Sequence, residues 1–497
     1  MSLHLLDQLA EIMAHDLSGV TSEFISVKLS EVMADIGLTR NVIRKRRKSF
    51  KIMEVVDTSV LRILSKKITT YNLGSQSEGS TTVELDLDID TLFSYHDLIV
   101  IQDWNNRIDG AQNVLMVQNE TTAPSHCLLQ VQSSNISFPY PDTTFDERDF
   151  FKDGKGRLLL KNTCFNDKVV VYNERNGPAH SFCGNPAQND EDNVIAWHCN
   201  DWPKEACFVK EGWPAEDIKR ECEATGCTIV PVSSKHSQYK DLEWRISTCL
   251  AERCLMFSLN ITQMRCYVLM KMIIKTFIKP KYPKTISSYI CKTVLFHCIH
   301  NESSLRWNEN HLIQCLTSCL HLLKVFVMAE ECPHFIIPGN NLLAGKISEG
   351  LKNNLVADLT ELQNTLIKHL LKISCDCLGI RLFVKLKASE KIGNLENTLI
   401  HPRNICQTIS QQLLRYIAAQ LSIRHKSLLR DMMLYDRSRS QICFTFAVST
   451  LKGLCHKTEN ELEKSAYKLL IPFMCSSLAS TMASNELEDK KAISKEH

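Results

Sequence analysis

The hydrophobic pattern changes its period once along this chain, and that change limits the folds open to it. Before about Trp244, apolar residues form short alternating or continuous runs, separated by Asn- and Asp-rich stretches, as in β-strands joined by loops. These runs cover residues 84–93, 98–101, 114–117, 127–131, 158–160 and 169–172. After Trp244, apolar residues recur at helical spacing in one segment after another. The pattern predicts an α/β (α+β) fold in which a mixed sheet backed by helices is followed by a helical lobe.

Helical periodicity also marks the N-terminal and C-terminal parts. Residues 1–70 are expected to be helical, with one long helix from about Ser22 to Ser65. Four apolar helix faces follow Trp244: Tyr267, Met270, Ile274 and Ile278; Leu316, Leu320, Leu323 and Val327; Leu351, Leu355, Leu359, Leu362, Leu366 and Leu370; and Ile409, Leu413, Ile417 and Leu421. We therefore expect N-terminal helices in residues 1–70, a core lobe in 71–243, a helical lobe in 244–349, and a helical extension with a frayed tail in 350–497. The sequence assigns no role to the extension.

Composition excludes several classes of protein. Lys and Arg total 58 against 56 acidic residues, so the net charge of +2 gives no globally basic surface for nucleic acid. The first 20 residues read as an amphipathic helix and not as a signal peptide, so most of the 21 cysteines are expected to be free thiols in the reducing cytoplasm. No apolar run reaches the roughly 18 residues of a membrane span, so no membrane partner is expected.

A glycine turn and two nearby carboxylates carry the strongest chemical signal. Gly74-Ser75 is followed by Asp88-Ile89-Asp90 in a strand-like run. Strand residues two apart project from one face, so Asp88 and Asp90 can hold divalent metal together, as two Mg²⁺ about 4 Å apart do in phosphoryl transfer. The glycine lets backbone N–H groups approach a triphosphate, and the serine hydroxyl can bond a phosphate oxygen. Taken alone, these residues also fit two surface aspartates beside a turn.

Several further motifs accompany this one in a recognisable order. The stretch GSQSEGSTTVELDLDIDTLF at residues 74–93 resembles the opening motif of the Mab-21 nucleotidyltransferases. After it come GPA at 177–179, WP at 202–203, VP at 230–231, EWRIS at 243–247, SSYICKTVLFH at 287–297, a stretch from Trp307 to Leu320, and PHFIIPGNNLL at 333–343. Together these motifs resemble the cyclic GMP–AMP synthase-like receptors over about residues 20–350.

The resemblance implies a bilobal nucleotidyltransferase fold, in which a long spine helix joins a sheet lobe to a helical lobe and the active site lies in the cleft. It implies ATP and GTP as substrates and Mg²⁺ or Mn²⁺ held by three carboxylates. Asp88 and Asp90 match the first two; Asp192 is the expected third, and Asp190 is the alternative if the register is shifted by two residues. Gly74 and Ser75 would hold the donor triphosphate.

The family's base contacts also have counterparts here. Arg245 and Ser247 match an arginine and a serine that contact a nucleobase, and Tyr289 matches a tyrosine that stacks on one. Lys271 and Ser288 match residues that hold the triphosphate or the base. Cys249 replaces the second serine of the family's synthase, and because a thiol is a weaker hydrogen-bond partner, it puts the choice of base in doubt. Without the resemblance, Arg245 also fits a surface salt bridge and Tyr289 a core aromatic.

The zinc thumb of vertebrate cyclic GMP–AMP synthase has no counterpart here. Between Ser247 and Lys271 lie Cys249, Cys254 and Cys266 without a histidine, and this spacing does not close a tetrahedral site. We therefore expect no zinc.

Five adjacent cations, Arg44, Lys45, Arg46, Arg47 and Lys48, lie on the proposed spine helix. They fit a solvated helix surface. They also fit salt-sensitive, sequence-independent contact with the backbone of double-stranded RNA or DNA, which in the family rearranges the active site.

Two classes of function fit these observations. The first is an active enzyme that makes a cyclic dinucleotide, such as cyclic GMP–AMP, as a nucleic-acid-activated innate immune sensor. The second is a catalytically silent Mab-21 scaffold or binding protein, which has no need of converging carboxylates. A third reading, an enzyme that makes linear oligonucleotides, uses the same residues.

Overall fold

A computed structural model of the chain describes residues 21–63, 66–85, 89–131, 147–165, 174–176, 179–182, 191–208, 211–235, 237–301 and 307–387. Two compact units are distinguished: the described residues within 21–46 and 73–387 belong to the first, and those within 47–72 belong to the second. The predicted N-terminal amphipathic helix, the strand-like run 169–172 and the helical face that begins at Ile409 lie outside the described residues.

The N-terminal helical segment contains two helices where one was predicted. Helix α1 (Ser22–Asp35) begins where the Thr21 side chain accepts a hydrogen bond from the Phe24 amide at 3.3 Å. It ends before Gly37, whose φ of +99° is a conformation that L side chains rarely adopt. Helix α2 (Arg40–Ile63) begins after this turn. The prediction of one helix from Ser22 to Ser65 is wrong because the left-handed glycine reverses the helical backbone locally.

The strand β1 (Ile68–Leu73) follows α2, so the prediction that residues 1–70 are helical is wrong at its C-terminal end. Glu54 of α2 accepts a hydrogen bond from the Asn72 amide at 2.8 Å, and the Asn72 side chain donates to the Phe50 carbonyl at 3.3 Å. These bonds between polar groups tie the strand back to the helix that precedes it.

The sheet of the first unit is mixed. Its described strands are β2 (Ile89–Tyr95), β3 (Ile99–Ile101), β4 (Asn113–Val117), β5 (His126–Val131), β6 (Phe150–Lys152), β7 (Leu158–Leu160), β8 (Glu174–Asn176), β9 (Ala179–Phe182), β10 (Glu191–Cys199), β11 (Cys227–Val230) and β12 (Glu243–Ser247). The main order is β2, β10, β11, β12, β5, β4 and β3; β7 also pairs with β5 and β6, and β9 with β10 and β8. The pairs β2–β10 and β3–β4 are parallel. With the helices below, this sheet confirms the predicted α+β class.

One face of this sheet is packed into a hydrophobic core. Trp197 of β10 and Trp244 of β12 have no exposed surface, and their ring centroids lie 5.0 Å apart. Cys127, Leu129 and Ile229 from β5 and β11 belong to the same buried cluster. Because strand side chains alternate, the residues next to these in sequence project from the opposite face, where the candidate site lies.

The helices of the rest of the first unit enclose a second core. They are α3 (Gly74–Glu78), α4 (Glu216–Glu223), α5 (Cys249–Ser258), α6 (Ile261–Ile273, continued by a π-turn to Ile278), α7 (Ser288–Asn301), α8 (Leu312–Ala329), α9 (Glu349–Asn364), α10 (Leu366–Leu371) and α11 (Leu378–Lys387). Leu316, Leu320, Leu323 and Val327 of α8 have no exposed surface, as their helical spacing predicts.

Helix α8 and the turn before it, Glu309–Ala329, are long and apolar enough by length and composition to cross a membrane, which the sequence analysis did not anticipate. Its apolar face is buried against the other helices of the unit, with Leu316 and Leu320 both fully covered. This burial is typical of the core helix of a globular domain.

The helical core does not stop at residue 349. Leu355, Leu359 and Leu382 are buried in the same cluster as the residues of α6 to α8. Leu351, by contrast, is 40% exposed, so its predicted place on the apolar face is wrong. It lies in the first turn of α9, which the core does not reach.

Candidate active site

The register of the sheet places candidate site residues on one face. Asp90 of β2 and Asp192 of β10 are direct neighbours in the parallel pair. Parallel neighbours in register project from the same face, so both carboxylates leave the sheet side by side. By the register of the antiparallel pairs β10–β11 and β11–β12, Arg245 and Ser247 project from the same face of the sheet as these carboxylates. Asp88 and Asp190, which the sequence analysis also named, lie outside the described residues.

Gly74 lies directly against Asp90. A Cβ atom added to Gly74 would lie 1.9 Å from Asp90 Oδ2, which is closer than any real Cβ contact. The φ of Gly74 is +72°, in the left-handed region. The glycine therefore brings the backbone at the start of α3 against the carboxylate, and no other residue fits there without moving Asp90.

Ser75, the next residue, is tied to the helical lobe. Its hydroxyl accepts a hydrogen bond from Lys271 Nζ of α6 at 2.7 Å, and Lys271 also donates to the Ser80 carbonyl at 3.2 Å. Lys271 is only 4% exposed. A buried ammonium beside the Gly-Ser turn provides a positive charge where a triphosphate would lie.

A second buried lysine stands on the other side of this turn. Lys292 of α7 donates to Glu78 Oε1 of α3 at 2.6 Å, and both side chains are buried. Burial alone would lower the pKa of Lys292, but the carboxylates of Glu78, Glu252 and Asp90 together raise it above its ordinary value. Lys292 therefore stays charged and links α3, which begins with Gly74-Ser75 and is called the Gly-Ser helix, to α7.

Arg245 of β12 is a half-buried cation. Within the described part of the chain, its guanidinium has no hydrogen bond or ion pair. Burial lowers its pKa, while the nearby Tyr289, Cys249 and Glu252 act in the opposite direction. An arginine that keeps its donors free at this position can donate them to a ligand.

Tyr289, in the first turn of α7, is held by its hydroxyl. It donates to Glu252 Oε1 of α5 at 3.0 Å and lies 2.6 Å from His334 Nε2. Burial, and then the charge of Glu252, raise the pKa of Tyr289 well above its ordinary value. The ring is thus anchored at its polar end, on the same lobe as Lys271.

Three other residues named from the sequence are Ser247, Cys249 and Ser288. The Ser247 side chain lies beside Cys249, whose Sγ is 3.8 Å from Thr228 Oγ1 on β11. Burial raises the pKa of Cys249, so this thiol stays protonated. Ser288 is exposed at the first position of α7, and its carbonyl accepts a hydrogen bond from Tyr267 at 3.2 Å.

The carboxylates suit a divalent cation. Asp90 and Asp192 offer side-by-side oxygen ligands, which Mg²⁺ and Mn²⁺ prefer. Among the described residues, no group of three or more His, Cys, Asp or Glu side chains could hold a metal ion, and Asp88 is not among them. The role of Asp192 as third ligand therefore stays a prediction.

The basic run lies on α2, but its members differ in exposure. Arg44, Lys45 and Lys48 are exposed, whereas Arg46 is only 6% exposed. Arg46 donates to Gln76 Oε1 of α3 at 2.6 Å, and burial lowers its pKa to about 10, against a nearby charge on Asp376. Its inclusion in a surface for nucleic acid is wrong, because the side chain is buried in contact with the Gly-Ser helix.

The helical lobe resembles a known protein family. Residues 262–361 match the family model described as the Mab-21 protein HhH/H2TH-like domain. The helical lobe thus contains a region similar to the Mab-21 HhH/H2TH-like domain. The match runs from α6 into α9 and contains Lys271, Ser288 and Tyr289. The α+β architecture of the described residues is consistent with a Mab-21 nucleotidyltransferase fold. No curated protein matches the chain.

Four residues of the candidate site were not singled out from the sequence: Glu78, Glu252, Lys292 and His334. Lys292 could have been found, because it lies one helical turn after Tyr289 on the same face of α7. His334 lies within a motif that was recognised but given no role. Glu78 and Glu252 pair with residues 214 and 37 positions away, and single-sequence patterns do not report such pairs.

Proposed function

We propose that this protein is a metal-dependent nucleotidyltransferase that joins ATP and GTP into a cyclic dinucleotide, such as cyclic GMP–AMP. We further propose that it acts in the cytoplasm as an innate immune sensor activated by duplex nucleic acid. The observation that carries the enzymatic proposal is the contact of Gly74 with Asp90, which itself neighbours Asp192. This contact places a glycine turn suited to a triphosphate against carboxylates suited to metal.

In the proposed reaction, a ribose hydroxyl of one nucleotide attacks the α-phosphorus of the other. A phosphoester bond forms, the bond to pyrophosphate breaks, and the hydroxyl proton passes to one of the carboxylates Asp88, Asp90 and Asp192. A second transfer of the same kind closes the ring. Bound Mg²⁺ or Mn²⁺ would neutralise charge on the reacting phosphate.

The side chains around the turn have separable tasks in this proposal. Ser75 and Lys271 would hold the departing pyrophosphate through a hydroxyl and an ammonium group. Arg245 and Ser247 would contact one base, and Tyr289 would stack on a base. Lys292 would keep the Gly-Ser helix in place through Glu78.

The experiment is incubation of the full chain with all four nucleoside triphosphates and Mg²⁺ or Mn²⁺, with and without duplex RNA or DNA. Mass spectrometry before and after phosphatase treatment distinguishes cyclic products, which resist phosphatase, from linear ones with a terminal triphosphate. We expect a cyclic product from the parent and from Asp109→Asn, an exposed control in a loop. We expect none from Asp88→Asn or Asp90→Asn, because Asn supplies no negative charge to the metal.

A cyclic product from both Asp88→Asn and Asp90→Asn would overturn the two-metal chemistry. No product under any condition, from a folded parent that still binds nucleotide, would favour the catalytically silent scaffold. Phosphatase-sensitive products alone would identify the linear polymerase.

A further inference from the structure

A continuous hydrogen-bonded chain joins three elements behind the candidate base site. Tyr289 of α7 donates to Glu252 of α5 at 3.0 Å, and its hydroxyl oxygen lies 2.6 Å from Nε2 of His334, in the turn after α8. Glu252 and His334 are 8% and 6% exposed. Thr248 also donates to Glu252 Oε1, at 3.3 Å.

The direction of this chain follows from the other ring nitrogen of His334. Its Nδ1 accepts hydrogen bonds from the backbone amides of Ile336 and Ile337, at 3.1 and 3.0 Å. A nitrogen that accepts two N–H groups carries no proton, so the proton of the neutral ring is on Nε2. His334 Nε2–H therefore donates mainly to the Tyr289 oxygen at 2.6 Å, with Glu252 Oε1 as a more distant second acceptor at 3.4 Å, and the Tyr289 proton is directed at Glu252.

The turn that carries His334 is itself rigidly held. The His334 amide donates to the Asn340 carbonyl at 2.9 Å, and Asn341 Oδ1 accepts from the amides of Cys332 and Leu343, both at 2.9 Å. The Cys207 amide donates to the Ile336 carbonyl at 2.9 Å. The imidazole is therefore fixed relative to the backbone before any ligand arrives.

We propose that His334 is a positioning residue of the nucleotide site: through its Nε2–H it fixes the hydroxyl, and with it the ring plane, of Tyr289 for stacking on a base. This inference rests on the proposed function of the site. A tyrosine ring rotates about two bonds, and anchoring its hydroxyl from two sides removes that freedom before binding. Arg245 of β12 lies near the same tyrosine. In the proposed site, the fixed ring of Tyr289 would therefore also fix where a stacked base lies relative to the guanidinium of Arg245.

The test is steady-state kinetics and equilibrium nucleotide binding with the full chain. His334→Ala removes the donor, His334→Gln keeps an N–H donor on a side chain of similar reach, and Tyr289→Phe keeps the ring but removes the hydroxyl. Loss of one such hydrogen bond should raise KM and Kd for the stacked nucleotide about three- to tenfold in His334→Ala and in Tyr289→Phe. The kcat should stay within about twofold, because stacking binds the ground state and the transition state alike.

Two further results belong to the same experiment. Nucleotide binding by the double variant should be no weaker than by either single variant, since both changes remove the same His334–Tyr289 hydrogen bond. His334→Gln should recover part of the loss. His300→Ala is the control, because His300 lies on α7 and packs against Phe335 without a contact to Tyr289.

A fall in kcat at constant KM in His334→Ala would mean that the change only reduces the folded fraction, and it would overturn the proposal. Additive losses in the double variant would do the same. If the parent binds nucleotide but makes no product, the proposed reaction fails, and the Kd values still decide the role of His334. If the parent binds no nucleoside triphosphate, both proposals fall.

Discussion

At the scale of single residues, the geometry of the candidate site depends on a glycine and two carboxylates. Gly74 combines a left-handed backbone with a contact that excludes even a methyl group. Asp90 and Asp192 share a register that directs both carboxylates to one side of the sheet. Each of these features can be perturbed by a substitution of one or a few atoms.

Gly74→Ala should reduce nucleotide transfer by about a hundredfold or more, although no catalytic side chain is changed. The added methyl would have to displace the Asp90 carboxylate, and misplacement by about 1 Å is enough for such a loss. Gly110→Ala is the matched control: Gly110 also has a positive φ, +79°, but nothing lies within 4 Å of its Cβ position. An equal loss of activity in the two variants would mean that backbone strain, and not displacement of Asp90, lowers the rate of transfer. Full activity in Gly74→Ala would mean that the contact with Asp90 does not matter for transfer.

Asp192→Asn should abolish transfer while the thermal unfolding temperature changes by only a few degrees. The physical reason is loss of a carboxylate that, in the proposed reaction, would hold the metal together with its neighbour Asp90. Asp190→Asn should retain activity. The opposite result, with Asp190 essential and Asp192 dispensable, would assign the third ligand to the other residue. Both variants are measured with the same nucleotide assay and by circular dichroism.

At the scale of elements, helix α2 carries both exposed and buried cationic side chains. Arg40, Arg44 and Lys48 are four residues apart and exposed, so they lie on one face of the helix. Arg46 points elsewhere and bonds to the Gly-Ser helix through Gln76. The same basic sequence therefore contains surface charges and a buried structural contact.

Arg44→Glu with Lys48→Glu should weaken binding of duplex nucleic acid equally for all sequences. Each lost phosphate contact lowers the slope of log affinity against log salt by about 0.9 for DNA, so the slope should fall by about two. Basal synthesis without duplex should persist, because the carboxylates are untouched. An unchanged salt slope in titrations from low to high salt would place the nucleic-acid site elsewhere.

Arg46→Ala should behave differently from these surface changes. It leaves Gln76 without its buried partner, so unfolding free energy should fall by about 1–3 kcal/mol, and basal activity should fall with or without duplex. Denaturant unfolding measures the first effect and the nucleotide assay the second. Unchanged stability together with loss of duplex binding alone would return Arg46 to the nucleic-acid surface.

At the scale of the whole molecule, buried ionised groups make stability depend on pH. Burial would raise the pKa of Glu252, but hydrogen bonding to His334, the charge of Lys292 and the Tyr289 hydroxyl lower it from 4.5 to about 2. A carboxyl whose pKa is depressed on folding stabilises the protein above its unfolded pKa, and this contribution is lost as pH falls through the folded value. Acid should therefore weaken the packing of α5 against α7.

Glu252→Gln should flatten the loss of stability between about pH 4.5 and pH 2, while lowering stability at neutral pH. The neutral amide has no proton to take up in this range. Glu361→Gln, a change at an exposed carboxylate of α9, is the control and should follow the parent. Urea unfolding at a series of pH values measures both. Parallel curves for the parent and Glu252→Gln would remove Glu252 as the source of the acid dependence.

The sequence by itself determined the fold class, because a change from strand-like to helical periodicity reflects which faces are buried; the structure places this change after β12, which contains Trp244, and not at Trp244 itself. It also determined the Gly-Ser and Asp-x-Asp elements and the apolar face of α8, since these are local patterns. Only the tertiary structure decided the rest. A left-handed Gly37 divides the predicted long helix, and the parallel register of β2 and β10 sets Asp192 beside Asp90. The contacts Lys292–Glu78, Arg46–Gln76 and His334–Tyr289 join residues far apart in the chain, and such contacts depend on how separate elements pack, which no local pattern encodes.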